Sequence, residues 1–218
     1  MEDLESLVKQ FTWLGQSGFR IPLAGKTIYI DVAQGRPEQP ADLVLVTHEH
    51  GDHCSPELVQ RIQRPDTVIV TIAACAGRFR GDVRTVRPGD TLEVAGIRIS
   101  AVPAYNVNKF RAPGRPFHPK EDGKVGFVLE AGGVRIYHAG DTDVIPEMRE
   151  IKADIALLPV SGTYVMTAEE AAEAVRILQP KLAVPMHYGS LVGSRADAER
   201  FQQLAAPTPV VILPQSER

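Results

Sequence analysis

The run Thr47-His48-Glu49-His50-Gly51-Asp52-His53 places three of the chain's six histidines within six positions, with an aspartate between the second and third. Neutral imidazole and carboxylate are the donors that zinc and similar divalent ions select. An ordinary polar turn does not explain such a density of histidine, so metal binding is the reading taken. The flanking residues say how the run is held. Leu43-Val44-Leu45-Val46 suits a buried strand, while Ser55 and Pro56 suit an N-cap and the first residue of a helix. The histidines therefore occupy a loop leaving the C-terminal end of a strand. Cys54, beside them, is read as a small buried residue at the helix start rather than a ligand or nucleophile.

Two further donors recur in the same context. Asp141 follows the strand-like Ile136-Tyr137-His138-Ala139-Gly140, and His187 follows Leu182-Ala183-Val184-Pro185-Met186. Donors at strand ends on one edge of a sheet can converge. His48, His50, Asp52, His53, Asp141 and His187 suffice for two metal ions sharing a carboxylate, a template in which ions roughly 3.5–4 Å apart acidify water and stabilise attacking and leaving oxygens. His138 lies within its strand and is expected to support the site or simply be buried. Asp143 is expected to cap a short helix near 146–150.

The elements required to position these groups are legible. Strands are expected at 11–14, 19–21, 27–31, 43–46, 67–71, 91–94, 97–102, 125–130, 134–138, 154–158, 182–186 and 210–213. Helices are expected at 56–63, 73–79 and after the capping box Thr167-Ala168-Glu169-Glu170, with a last one opening at Ser194. Each half is strand-rich first and mixed strand–helix later, which favours an α/β fold of two packed sheets between helical layers. Residues 105–123 are irregular and hold three prolines, His118 and the bases Lys109, Arg111, Arg115 and Lys120. Long loops of this kind are often binding loops. Lys109 and Arg111 are candidates for an anionic group of a substrate, and Tyr188 for the pocket wall.

Composition narrows the function classes. Hydrophobic residues make up 44%, and no run approaches the ~20 apolar residues of a membrane span. With 24 Lys and Arg against 27 Asp and Glu, the net charge of −3 argues against a nucleic-acid or anionic-membrane surface. The acidic start Met1-Glu2-Asp3-Leu4-Glu5 carries no signal-peptide pattern, and two cysteines give no disulfide framework, so a cytoplasmic setting is expected.

On these residues the chain resembles the metallo-β-lactamase superfamily. Its His-x-His-x-Asp-His signature is matched in full by His48-Glu49-His50-Gly51-Asp52-His53. Gly140-Asp141-Thr142 resembles its strand-end aspartate, which bridges two metals, and Pro185-Met186-His187-Tyr188-Gly189 resembles its last histidine motif. The resemblance spans nearly the whole chain after residue 10 as one domain. It implies a four-layer αββα sandwich, His48 and His50 in a first metal site, and Asp52, His53 and His187 in a second. It also implies that Asp31 orients the histidine loop. Trp13-Leu14-Gly15, the stretch 137–143 and Leu158-Pro159-Val160 are similar to a branch that includes ascorbate-6-phosphate lactonase and the N-acyl-phosphatidylethanolamine phosphodiesterases.

Two departures matter. That branch usually carries histidine where Gln16 stands here. The superfamily also expects a first-site histidine where this chain has Ala104-Tyr105-Asn106. Asn106, as a weak donor or a holder of water, and His118, swung in from later in the loop, are the alternatives. His118 is taken as the ligand, with Asn106 beside it.

The implied activity is that of a metal-dependent hydrolase cleaving an ester, lactone or phosphodiester of a small anionic substrate. Two divalent ions, zinc first and manganese or iron as alternatives, would activate water with Asp52 as its partner. The rival readings are a catalytically weak metal-binding sensor and a di-iron redox protein. A homo-oligomer is compatible with the sequence, and neither nucleic acid nor membrane is expected as partner.

Overall fold

Leu43–Val46 and Val68–Thr71 are short β-branched and leucine runs whose every residue is buried. Continuous burial marks strands covered on both faces, as parallel strands flanked by helices are. A computed structural model describes residues 4–216, so the first three residues of the acidic start lie outside the described part.

Around those two runs the first half of the chain builds a six-stranded sheet. Its members, in spatial as in chain order, are β1 (Thr12–Gly15), β2 (Gly18–Leu23), β3 (Lys26–Ile30), β4 (Leu43–Val46), β5 (Val68–Thr71) and β6 (Asp82–Thr85). The first three pair antiparallel, whereas β3 to β6 run parallel. The edge strand β6 is short and bears the exposed pair Asp82 and Arg84, charges of the kind that blunt an open sheet edge.

The second half contributes β7 (Thr91–Val94), β8 (Ile97–Pro103), the small ribbon β9 (Phe110–Ala112) and β10 (Arg115–Pro116), then β11 (Val125–Ala131), β12 (Val134–His138), β13 (Ile155–Pro159) and β14 (Leu182–Met186). All but the ribbon form a second six-stranded sheet of order β14-β13-β12-β11-β8-β7. Again antiparallel pairs give way to parallel ones, at β12. The helices are α1 (Leu4–Val8), α2 (Pro56–Ile62), α3 (Ala73–Ala76), α4 (Ala168–Leu178) and α5 (Arg195–Leu204). The whole is an α/β, four-layer αββα sandwich. Leu43, Ile69, Phe127, Leu157 and Val184, drawn from both sheets, belong to one buried cluster.

The caps follow the local sequence. Ser55 accepts from the Leu58 amide at the start of α2, where Pro56 is the first helical residue. The capping box at α4 forms in both directions, with Thr167 Oγ1 accepting from the Glu170 amide and Glu170 accepting from the Thr167 amide. Buried Ala168, Ala171, Ala172, Val175 and Leu178 face α4 inward.

Four expectations change. Residues 210–213 make no strand of their own: Val210 forms a single bridge to Ala183. Too few amides there meet a partner for a ladder. Strand β6 and helix α1 lack a clear apolar period, so the sequence pattern does not reveal them. The loop 105–123 is not wholly irregular, since it folds into the β9–β10 ribbon and a 3-10 turn at Lys120–Asp122. Asp143 does not cap the 3-10 turn Pro146–Arg149, whose N-cap is Ile145. Instead its Oδ2 accepts from the amides of Val107 and Asn108 and pins the base of that loop.

Candidate metal centre

Every donor in the centre except His118, which comes from the loop after β10, is delivered from strand ends at one edge of the sandwich. The loop 47–54 leaves the end of β4, Asp31 follows β3, Asp141 follows β12 and His187 follows β14. The C-terminal ends of parallel strands are where α/β folds place their sites, because the strands fix several loops relative to one another.

The histidine loop is tied down by Asp31, which is fully buried. Asp31 Oδ1 accepts the Thr47 amide at 2.8 Å, and Oδ2 accepts Thr47 Oγ1 and His53 Nδ1, both at 2.7 Å. The turn is closed by the amides of His53 and Cys54, which donate to the His50 carbonyl. Gly140 and Gly126 permit the close approach beside Asp141. A Cβ on Gly140, at φ 64°, would stand 2.7 Å from the Val125 carbonyl, and one on Gly126 would stand 2.6 Å from that of His138.

Two groups of donors result, each with its donor atoms within 4.8 Å of one another. One is His48, His50, His118 and Asp141, and the other Asp52, His53 and His187. Asp141 stands between them: Oδ1 is 3.2 Å from His53 Nε2, and Oδ2 is 3.4 Å from His187 Nε2, 3.5 Å from His118 Nε2 and 3.8 Å from His48 Nε2.

The outer hydrogen bonds decide which way the ring lone pairs point. Thr47 Oγ1 gives its hydrogen to Asp31, so it accepts from His48 Nδ1 at 3.0 Å and leaves the His48 Nε2 lone pair facing inward. Asn106 is oriented unambiguously, because Nδ2 donates to the Tyr164 carbonyl at 2.9 Å and Oδ1 accepts the His118 amide at 2.9 Å. Oδ1 also accepts His118 Nδ1–H at 2.8 Å, which turns the His118 Nε2 lone pair into the centre. His50 Nδ1 then lies 3.1 Å from His48 Nε2 and 3.3 Å from His118 Nε2. With both flanking lone pairs turned inward, either a hydrogen on His50 Nδ1 or a cation among the three rings relieves their repulsion. His53 Nε2 and Asp141 Oδ1 are buried with no hydrogen-bond partner. The residues present fit divalent cations: inward lone pairs, carboxylates between them, and buried donors left without partners.

The electrostatics agree with that fit. Burial holds His48 well below the ordinary imidazole value of 6.5, holds His50 below it, and brings His118 to about 4, so all three stay neutral donors at pH 7. Burial opposes a charge on His53 as well, but Asp141 and Asp31 outweigh it and raise that group well above its usual value. Against the cost of burial, His187 and His53 hold the Asp141 carboxyl well below its usual range, and the His53 ring, with Nε2 3.5 Å from Asp52 Oδ2, helps bring Asp52 to about 2. The spot attracts positive charge.

A pocket of about 270 Å³ opens onto the donors and is lined by His50, Asp52, His118, Asp141, Arg111, Phe117 and Tyr164. Phe117 meets Tyr164 edge to face at 4.6 Å, and the Arg111 guanidinium lies 5.6 Å from the Phe117 ring centre. The other two residues expected to meet a substrate are occupied elsewhere. Lys109 Nζ pairs with Glu170 at 2.7 Å and Asp143 at 3.3 Å, and buried Tyr188 packs on Trp13 at 4.6 Å. Neither lines the pocket. His138 reaches no donor group: its Nε2–H donates to the Ser17 carbonyl and its Nδ1 accepts the Gly140 amide, so it braces the turn before Asp141.

Two parts of the centre carry no sequence signal, and the part played by a third shows only in the structure. Ser161 Oγ sits 3.1 Å from His187 Nδ1, Thr47 links His48 to Asp31, and Gln16 projects into the second donor group. For Thr47 and Ser161 no signal separates them from ordinary loop hydroxyls. Gln16 was visible as a departure from the resembled pattern.

The comparisons with known proteins agree with this geometry. A curated relative, the UPF0173 metal-dependent hydrolase of Methanopyrus kandleri, is 33% identical over 95% of this chain and 98% of its own length. Among solved structures, a candidate metal-dependent hydrolase from Parabacteroides distasonis superposes with a TM-score of 0.81 at 30% identity, covering 95% of this chain and 93% of that one. A metallo hydrolase from the archaeon Ignicoccus hospitalis gives 0.76 at 26% identity, with 95% of each chain covered. The model of the β-lactamase superfamily domain matches residues 10–187, and the chain belongs to that superfamily.

Proposed function

We propose that the chain is a metal-dependent hydrolase that uses two divalent cations to cleave an ester, lactone or phosphodiester bond in a small anionic substrate. The observation that carries this reading is the convergence of seven donors in two adjoining groups, with Asp141 between them. The first cation would be held by His48, His50, His118 and Asp141, and the second by Asp52, His53, His187 and Asp141. Bound there, zinc, or manganese or iron, would supply Lewis acidity toward a developing oxyanion and would acidify water. The relatives, named as metal-dependent hydrolases, support the reaction class.

The chain's own residues divide the remaining work. Asp52 is a quarter exposed at the pocket and stays ionised down to about pH 2. So acidic a carboxyl is a weak base; its role is to orient the attacking water and share its proton. Arg111 is the basic side chain on the pocket wall, while Lys109, Lys120 and Lys124 are neutralised by Glu170, Glu147 and Glu49. One guanidinium over the Phe117 ring, itself packed on Tyr164, suits a substrate with a single anionic group and a flat apolar part better than a polyphosphate.

Elemental analysis beside initial rates with an aryl ester, a lactone and a bis-aryl phosphodiester tests the proposal. About two divalent ions per chain are expected on the two-cation template, with turnover of at least one substrate that chelation abolishes and metal restores. A chain that retains no divalent ion after reloading would end this reading.

A further inference from the structure

The second donor group contains a side chain with no place in the signature. Gln16, in the turn between β1 and β2, is 1% exposed and held in the left-handed region at φ 50°. Its carbonyl is gripped twice, by the Trp13 indole N–H at 3.0 Å and by the His187 amide at 2.8 Å. That grip aims the side chain into the centre. One terminal atom of its amide, placed as Nε2, lies 3.1 Å from Asp52 Oδ2 and 3.1 Å from His187 Nε2; the other, placed as Oε1, lies 3.3 Å from Ser190 Oγ.

Asp52 and His187 are two of the three residues of the second donor group. They cannot spend the same lone pairs on an amide N–H and on a cation. Amide oxygen and nitrogen occupy equivalent positions, and their assignment follows the partners present. Ser190 Oγ accommodates both arrangements, because a hydroxyl can donate to the oxygen or accept from the nitrogen.

We propose that Gln16 is a ligand of the second cation, its Oε1 occupying the amide position that faces Asp52 and His187 while its NH2 donates to Ser190 Oγ. This rests on the two-cation reading above. It gives the second group, otherwise one carboxylate and two imidazoles, a neutral oxygen donor. Such a donor shifts preference from zinc toward harder ions such as manganese. The competing arrangement keeps the NH2 on Asp52 and His187 and obstructs the second cation. The two make opposite predictions for a side chain too short to reach.

The test titrates metal-free protein with Co(II), followed by visible absorption, and with Zn(II) and Mn(II) against a chromophoric chelator, with ions counted by elemental analysis. Gln16→Asn tolerates the left-handed backbone and withdraws the amide by one methylene. Gln16→His restores a donor and replaces oxygen by nitrogen. The parent takes two ions. In Gln16→Asn the first binding step is kept, the second weakens roughly 10–100-fold, and the corresponding Co(II) band changes. In Gln16→His the second step recovers with a larger zinc-to-manganese ratio. A second step of parental or higher affinity in Gln16→Asn, with an unchanged Co(II) spectrum, overturns the ligand assignment and leaves the two-cation centre standing. A parent that takes no second ion overturns both.

Discussion

At the scale of single residues, the centre depends on groups that hold ligands as much as on ligands. His118 comes from a loop, not a strand end, and its ring is usable because Asn106, anchored to the Tyr164 carbonyl, accepts from both its amide and its Nδ1. His118→Ala removes an inward lone pair, so one cation should be lost or weakened with the other retained, read by elemental analysis. Both ions kept with activity intact would show that His118 is no ligand. Asn106→Leu tests the support separately. It keeps His118 but frees its Nδ1, and metal affinity should fall roughly 10–100-fold while fold, followed by circular dichroism, is unchanged. Unaltered affinity would make Asn106 a mere loop anchor. His118 was identifiable only as a stand-in for the first-site histidine that the superfamily resemblance leaves missing, since its distance in sequence from the other donors carries no spacing signal. The role of Asn106 depends on an amide orientation that coordinates alone supply.

At the scale of elements, what was legible followed from periodicity and caps. The run 43–46 with Ser55-Pro56 behind it, and the box at Thr167, are local signals, and local physics decided both. What was hidden depends on pairing between distant segments. Strand β6 exists because β5 offers it an edge, and the β9–β10 ribbon because Asp143 holds its base. The turn at Gly140 is where elements and site meet. Its φ of 64° and the Val125 carbonyl 2.7 Å from where a Cβ would stand leave no room for a side chain. Gly140→Ala should therefore cost about 1–3 kcal/mol in denaturant unfolding, and should weaken metal binding because Asp141 is displaced. A variant as stable as the parent, with the same metal content, would mean the turn yields at no cost.

At the scale of the whole molecule, one buried, electronegative centre joins the two sheets, so its charge state bears on global stability. In metal-free protein, burial lowers His48, His50 and His118 below 6.5. The unfolded chain then binds more protons than the folded one as pH falls through 6.5, and stability is lost in that direction. For His118, from 6.5 to about 4, the loss amounts to about 3 kcal/mol over that window. His53 has the opposite sign: raised well above 6.5, it stabilises fully below that value, and its contribution fades only as pH rises through its folded value. Asp52 acts lower still, its contribution present above 3.8 and lost as pH falls to about 2. Metal-free protein should thus lose stability steadily from pH 6.5 toward 4. Cations bound only by the folded state add about 4 kcal/mol at a thousand times Kd, or roughly 10 °C in Tm for a chain of this size. Protons and cations compete for the same imidazole lone pairs, so that increment should be largest near neutrality and shrink toward pH 5. Thermal melts of chelated and reloaded protein across pH 4–8 measure it directly. An increment that stays constant across that range would mean that the cations bind somewhere other than these histidines.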